Sequence, residues 1–147
     1  MNSSNQILAV ATRTLAIELE TVQALQSALN QDFVDTVLHL QKSKGRIVVT
    51  GIGKSAIIGQ KWVATFNSTG SPALFMHGAD AIHGDLGMLQ PDDSLIILSK
   101  SGETPEIRVL VPLVKQFGNK LIAVVAQPDS YLAKQADLVI HTPVSRE

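Results

Sequence analysis

"SLIILSKSGETPEIRVLVPLVKQF", Ser94 to Phe117, runs from an apolar segment through a polar connection into a second, differently patterned apolar segment. The run 94–98 does not alternate apolar with polar residues, as expected of a parallel strand covered on both faces. From Pro105 the apolar residues recur at helical spacing, and Thr104-Pro105 suits an N-cap followed by the first helical position. A strand entering a helix through a short connection is half of a βαβ unit, which calls for a parallel sheet. The connection itself carries Ser99, Ser101, Gly102 and Thr104, with two glutamates, Glu103 and Glu106, on either side of Thr104-Pro105. It reads as a capped helix with a polar approach, or as an anion cradle of hydroxyls and uncapped amides at the positive end of a helix dipole.

Further runs of strand length lie on either side: 46–50 (RIVVT), 72–76 (PALFM), 120–125 (KLIAVV) and 138–142 (LVIHT). Helical segments at 55–67, 105–117 and 129–135 alternate with them. The expectation is an α/β three-layer sandwich with a five-stranded parallel sheet. Two helices precede it. Leu8, Ala11, Leu15, Leu19, Val22, Leu25 and Leu29 recur at spacings of three and four, and a second helix is predicted over 31–43, with Gly45 placed to end it. The division expected is 1–44 for helices that pack on the domain or on an oligomer partner, and 45–147 for the ligand-binding domain.

At 147 residues, 45% hydrophobic and 17% charged with a net charge of −1, the chain suits one globular domain. The charge balance makes nucleic acid a poor partner. No cysteine is present, which removes disulfides, thiolate nucleophiles and cysteine-built zinc sites. The first twenty residues lack a basic region and a continuous apolar stretch, and no apolar run reaches membrane length, so the expected location is the cytoplasm with no membrane partner.

In an open parallel sheet the loops at the carboxyl ends of the strands gather along one edge, where ligands bind. Those loops are GIGKS, HGADAIHGDLG, SKSGET, AQPDS and PVSRE, and they hold most of the Gly, Ser, Thr, His, Lys and Glu of the second half. The opposite loops, STGS, QPDD and FGN, read as turns. GIGKSA (51–56) is neither a Walker loop, which needs glycine where Val48 stands, nor a convincing dinucleotide motif, since the strand ending FMHG brings no acid for a ribose. It remains a glycine turn that places Gly53, Lys54 and Ser55 at a helix start. The plain alternative for Lys54 is a solvated lysine. His77 and His83 lack a third ligand at metal spacing; His83 suits general acid or base work, and His77 suits a backbone hydrogen bond. His39 and His141 sit in helix and strand patterns and read as structural, and Trp62 as core. Glu103 and Glu106 at a helix start read first as complements of its dipole.

Together, "VVTGIGKSAIIGQKWVATFNSTGSPALFMHGADAIHGDLGML" and "ILSKSGETPEI" resemble the sugar isomerase (SIS) domain, and within it the arabinose-5-phosphate isomerases of lipopolysaccharide or capsule synthesis. The resemblance covers nearly the whole chain beyond the first helix. It implies interconversion of D-ribulose 5-phosphate and D-arabinose 5-phosphate through an enediol, with no redox cofactor and no metal. It further implies that Ser99, Ser101, Thr104 and the amides around Gly102 hold the phosphate, with Gly53 and Ser55 also in the substrate site. Lys54, His83, Glu106 and Glu147 fall on the family's functional lysine, histidine and glutamates. A carboxylate would move the proton and Lys54 or His83 would stabilise the oxyanion. A homo-oligomer, dimer or tetramer, is expected.

In the family the sequence after VSRE continues with a Thr/Ser-rich segment, an HPGG segment with a functional histidine and, commonly, two CBS modules. Without these, the chain alone is expected to be weakly active or inactive. The competing expectation is a non-catalytic regulatory module that binds a sugar phosphate, for which Lys54, His83 and Glu106 would be superfluous.

Overall fold

The structure is a computed structural model, which describes residues 3–144. Ser3–Ala28 forms α1 and Gln31–Lys42 forms α2, after which strands and helices alternate: β1 Ile47–Gly51, α3 Lys54–Ser68, β2 Ala73–His77, α4 Gly78–Ile82, a 3-10 turn at Asp85–Met88, β3 Ser94–Ser99, α5 Pro105–Phe117, β4 Lys120–Val125, α6 Tyr131–Gln135 and β5 Leu138–His141. The five strands form one sheet in the order β2-β1-β3-β4-β5, and every pairing is parallel. The strand order reverses between β1 and β3.

The sheet divides the core into two layers, as period-two geometry requires of strands apolar on both faces. Val48, Leu95, Ile97, Leu121, Ala123 and Val125 point to one side, beneath α4, α5 and α6, where Ile107, Leu110, Val111, Val114 and Leu132 meet them. Ile47, Val49, Ile96, Leu98, Ile122 and Val124 point to the other, where Leu40 of α2 and Trp62, Val63 and Phe66 of α3 cover them. This second cover is thinner. A largely apolar groove of about 530 Å³ remains between α2 and α3, floored by Ile96 and Ile140.

The edge formed by the amino ends of the strands is tied more firmly than plain turns would be. The Asp93 side chain is 1% exposed and pairs with Arg46 at 2.6 Å. It also accepts from the amides of Arg46 and Gln90, at 2.8 and 2.9 Å. Asn119 Nδ2 donates to the carbonyls of Gln90 and Asp93. Gly45 does not end α2, which stops at Ser43 in extended conformation. Gly45 instead lies so close to the next turn that a Cβ there would sit 2.1 Å from the Asp92 carbonyl oxygen, so the glycine serves a close backbone approach.

The two N-terminal helices differ. α2 lies against β5, with Asp32 Oδ2 accepting from Val139 N at 3.1 Å. α1 has no buried residue along its 26 positions, and Leu8, Leu15, Leu19 and Val22 are each at least 60% exposed.

Candidate functional site

The site is assembled where the strand order reverses, because the connections leaving β1 and β3 diverge there and open a crevice between them. A cleft of about 280 Å³ lies at this point, lined by Ile52 and Ser55 from the β1 side and by Leu98, Ser99, Lys100, Ser101, Thr104 and Ile107 from the β3 side. The apolar floor and hydroxyl rim suit a small polar ligand with one anionic end.

Both helices that start at the cleft lack a side-chain cap. α3 begins at Lys54 behind Gly53, whose φ of 57° and ψ of −127° only glycine adopts readily. α5 begins at Pro105 behind Thr104. By contrast, α2, α4 and α6 are capped by Asn30, His77 and Ser130. The sequence places Thr104 at the N-cap position correctly, but its hydroxyl does not cap. Thr104 Oγ1 is buried with no hydrogen-bond partner. A buried hydroxyl left unbonded costs about 1–3 kcal/mol, a cost that an acceptor entering the cleft could relieve.

The 99–104 connection is held in a defined shape. Ser99 Oγ accepts from Gly102 N at 3.0 Å, and Ser101 Oγ from Glu103 N at 3.3 Å. Gly102 takes a positive φ of 64°, and Leu132 N donates to its carbonyl at 3.1 Å. Glu103 is not a mere dipole complement: Oε1 accepts from Tyr131 N at 2.6 Å, and Oε2 accepts from Arg108 Nη2. The Tyr131 amide, with Arg108 as a further contributor against some desolvation, holds the Glu103 carboxyl below its ordinary value of 4.5.

The remaining sequence-predicted residues stand as follows. Ser55, Ser99, Ser101 and Thr104 line the one cleft together. Lys54 opens α3 next to Ser55 and is exposed, as is Gly53. Glu106 occupies the first turn of α5 and is half-buried. His83 follows α4 as its C-cap residue, is exposed, and is not among the residues that line the cleft. Glu147 lies outside the described residues. His77 takes the plain role: its Nδ1 accepts from Ala79 N at 3.3 Å and caps α4. His39 meets Ser94 Oγ at 2.8 Å and His141 meets the Ala126 carbonyl at 3.2 Å. Among the described residues no cluster of three His, Cys, Asp or Glu could hold a metal, and no helix is long and apolar enough to cross a membrane.

Sequence reasoning missed two polar members of this edge. Lys100 lines the cleft, and its position between two serines was the available signal. Thr50, fully buried at the end of β1, has a second unbonded hydroxyl. In RIVVT it reads as an ordinary β-branched strand residue, so nothing in the sequence singles it out.

The chain is similar to known proteins along most of its length. The Haemophilus influenzae protein named "Probable arabinose 5-phosphate isomerase" is 45% identical over 140 residues, which are 95% of this chain and 42% of that protein. Arabinose 5-phosphate isomerase KdsD of Pseudomonas aeruginosa is 42% identical over 147 residues, the whole of this chain and 45% of that one. The chain thus spans less than half the length of these curated relatives. The solved structure of E. coli CFT073 c3406 in complex with arabinose 5-phosphate superposes with a TM-score of 0.94 at 39% identity, covering 100% of this chain and 78% of that one. The family model for the SIS domain matches residues 39–147, most of the sequence and all of its sheet, and the chain belongs to that family.

Proposed function

We propose that this chain is the catalytic domain of an aldose-ketose isomerase that interconverts D-ribulose 5-phosphate and D-arabinose 5-phosphate, serving lipopolysaccharide or capsule synthesis in the cytoplasm. The observation that carries the reading is the cleft of Ser55, Ser99, Ser101 and the unbonded Thr104 hydroxyl. It occurs in a chain matched along its full length to a structure in complex with arabinose 5-phosphate.

In this reading the phosphate sits at the uncapped start of α5. It accepts from Ser99, Ser101, Thr104 and nearby backbone amides, with the helix dipole adding to the attraction. Gly53 and Ser55 bound the opposite wall. The sugar then extends from the cleft with C1 and C2 near Glu106. The Glu106 carboxylate takes a proton from C1 of the ketose. The electron pair left behind forms the C1–C2 double bond and the C2 carbonyl pair moves onto O2, giving an enediolate. The Glu106 carboxyl, whose proton exchanges with solvent, then delivers a proton to C2 while the C1 hydroxyl proton passes to O2 and C1 becomes the aldehyde carbonyl. Lys54 or His83 stabilises the negative oxygen of the intermediate. Glu147 is a second candidate for proton transfer.

The test is exchange of the substrate's transferred proton with deuterium from solvent, followed by NMR alongside calorimetric binding. Exchange with binding supports the isomerase. Binding without exchange would identify the regulatory, non-catalytic alternative, and no binding would overturn the site.

We also propose that residues 1–44 are a helical extension to a 45–147 domain, and that the exposed stripe of α1 is covered in a homo-oligomer, dimer or tetramer. Six large apolar side chains at 60% exposure or more on this one helix support this. Sedimentation equilibrium showing a monomer at tens of micromolar would contradict it.

A further inference from the structure

We propose that Glu103 is a positioning residue for the anion-binding connection: its carboxylate latches the start of α5 to the start of α6 and so fixes the backbone of residues 99–104 before a ligand arrives. The inference rests on the phosphate reading above and deepens it.

Three elements meet at this one side chain. Glu103 belongs to the β3–α5 connection, Arg108 to α5 one turn further on, and Tyr131 is the first residue of α6. Oε1 accepts the Tyr131 amide at 2.6 Å and Oε2 accepts Arg108 Nη2. The Arg108 guanidinium also lies over the Tyr131 ring, 4.9 Å from its centroid, so the two partners of the carboxylate are themselves in contact. The seam continues through the backbone. Leu132 N donates to the Gly102 carbonyl at 3.1 Å and Ala126 N to the Lys100 carbonyl at 3.0 Å.

The bonds from Tyr131, Leu132 and Ala126 join the connection to α6 and to the segment before it, while Ser99, Lys100, Ser101 and Thr104 line the cleft. A connection held in this way has lost its conformational freedom before binding. Ordering a backbone segment opposes association, and a preformed cradle removes that cost from the binding step. A glutamate that served only the helix dipole would need neither partner.

The exposure of the pair separates positioning from a general structural role. The Glu103 and Arg108 side chains are 42% and 55% exposed. Ion pairs this open to solvent contribute little to folding, because water and salt screen them. Removing this one is therefore expected to change ligand affinity far more than stability.

The experiment is calorimetric titration of the wild-type chain, Glu103→Ala and Glu103→Gln with inorganic phosphate and with D-ribulose 5-phosphate, paired with urea unfolding of each. Expected is binding roughly tenfold weaker in Glu103→Ala, of the order one lost charged hydrogen bond gives, with little change in the unfolding midpoint. Glu103→Gln, which keeps an acceptor for the Tyr131 amide, should recover part of the affinity. Equal affinities in wild type and Glu103→Ala would overturn the positioning role alone. Failure of the wild type to bind either probe would overturn the phosphate reading, and this role with it.

Discussion

Gly102 and Ser130 are packed so closely that a Cβ on Gly102 would lie 2.3 Å from Ser130 Oγ. The same glycine has a φ of 64°, a left-handed conformation in which any side chain is strained. Ser130 is not free to withdraw without loss, because its hydroxyl accepts from Ala133 N and caps α6.

Gly102→Ala is therefore expected to destabilise the fold by about 1–3 kcal/mol, the combined scale of left-handed strain and steric displacement. It should also weaken phosphate binding, since the Gly102 amide is at the centre of the connection. Urea unfolding with calorimetry checks both. A variant as stable as wild type would show that the connection shifts without cost.

Thr104→Val separates function from stability in the opposite direction. The hydroxyl it removes is buried and unbonded in the ligand-free protein, so an apolar group of the same shape should leave the free protein as stable or up to about 1 kcal/mol more stable. Affinity for a phosphate monoester should fall about tenfold. A stability loss with unchanged affinity would refute the role given to this hydroxyl.

Asp93 should limit stability in acid. Burial pushes its carboxyl up, but the Arg46 side chain, the amides of Gln90 and Arg46 and the Arg46 charge together outweigh burial and hold it below its ordinary 3.8. A carboxyl whose folded value is depressed stabilises the fold at pH above its unfolded value and loses that contribution as pH falls through the folded one. The wild type should therefore weaken as pH drops below about 3.8. In Asp93→Asn that slope should flatten, with a loss of about 2–3 kcal/mol at neutral pH, less than for a fully enclosed pair because Arg46 is partly open to solvent. Unfolding midpoints measured from pH 2 to 7 decide it.

Glu106→Gln should abolish exchange of the substrate's transferred proton with solvent while leaving phosphate affinity within about twofold, because an amide keeps the shape but cannot take the proton. Unchanged exchange would remove Glu106 from the chemistry and direct attention to Glu147.

The sheet was legible because each strand is a short apolar run bracketed by turn residues, and SLIIL and KLIAVV do not alternate. The strands lie within about a residue of the spacing-based expectation, with pairing carried on through Gly51, His77 and Ser99. The α4 helix was not legible: GADAI is five residues long, too short for periodicity, and is read as a turn. Gly45 shows another limit, since a C-cap glycine and a glycine required by a neighbouring backbone look alike in sequence.

At the site, the cluster of Ser99, Ser101 and Thr104 was visible as an unusual density of hydroxyls in one connection. Whether Thr104 used its hydroxyl to cap was not, because that depends on a rotamer and on burial. The bond from Glu103 to Tyr131 spans 28 positions, and nothing local to SKSGET announces it. The apolar stripe of α1 was evident from its spacing, but periodicity states only that a face needs cover and is silent on what supplies it.

The most direct test of the central claim is a crystal of this chain soaked with D-arabinose 5-phosphate. The phosphate is expected at the start of α5, within hydrogen-bonding distance of the Ser99, Ser101 and Thr104 hydroxyls. A phosphate bound elsewhere, with this cleft empty, would contradict the claim.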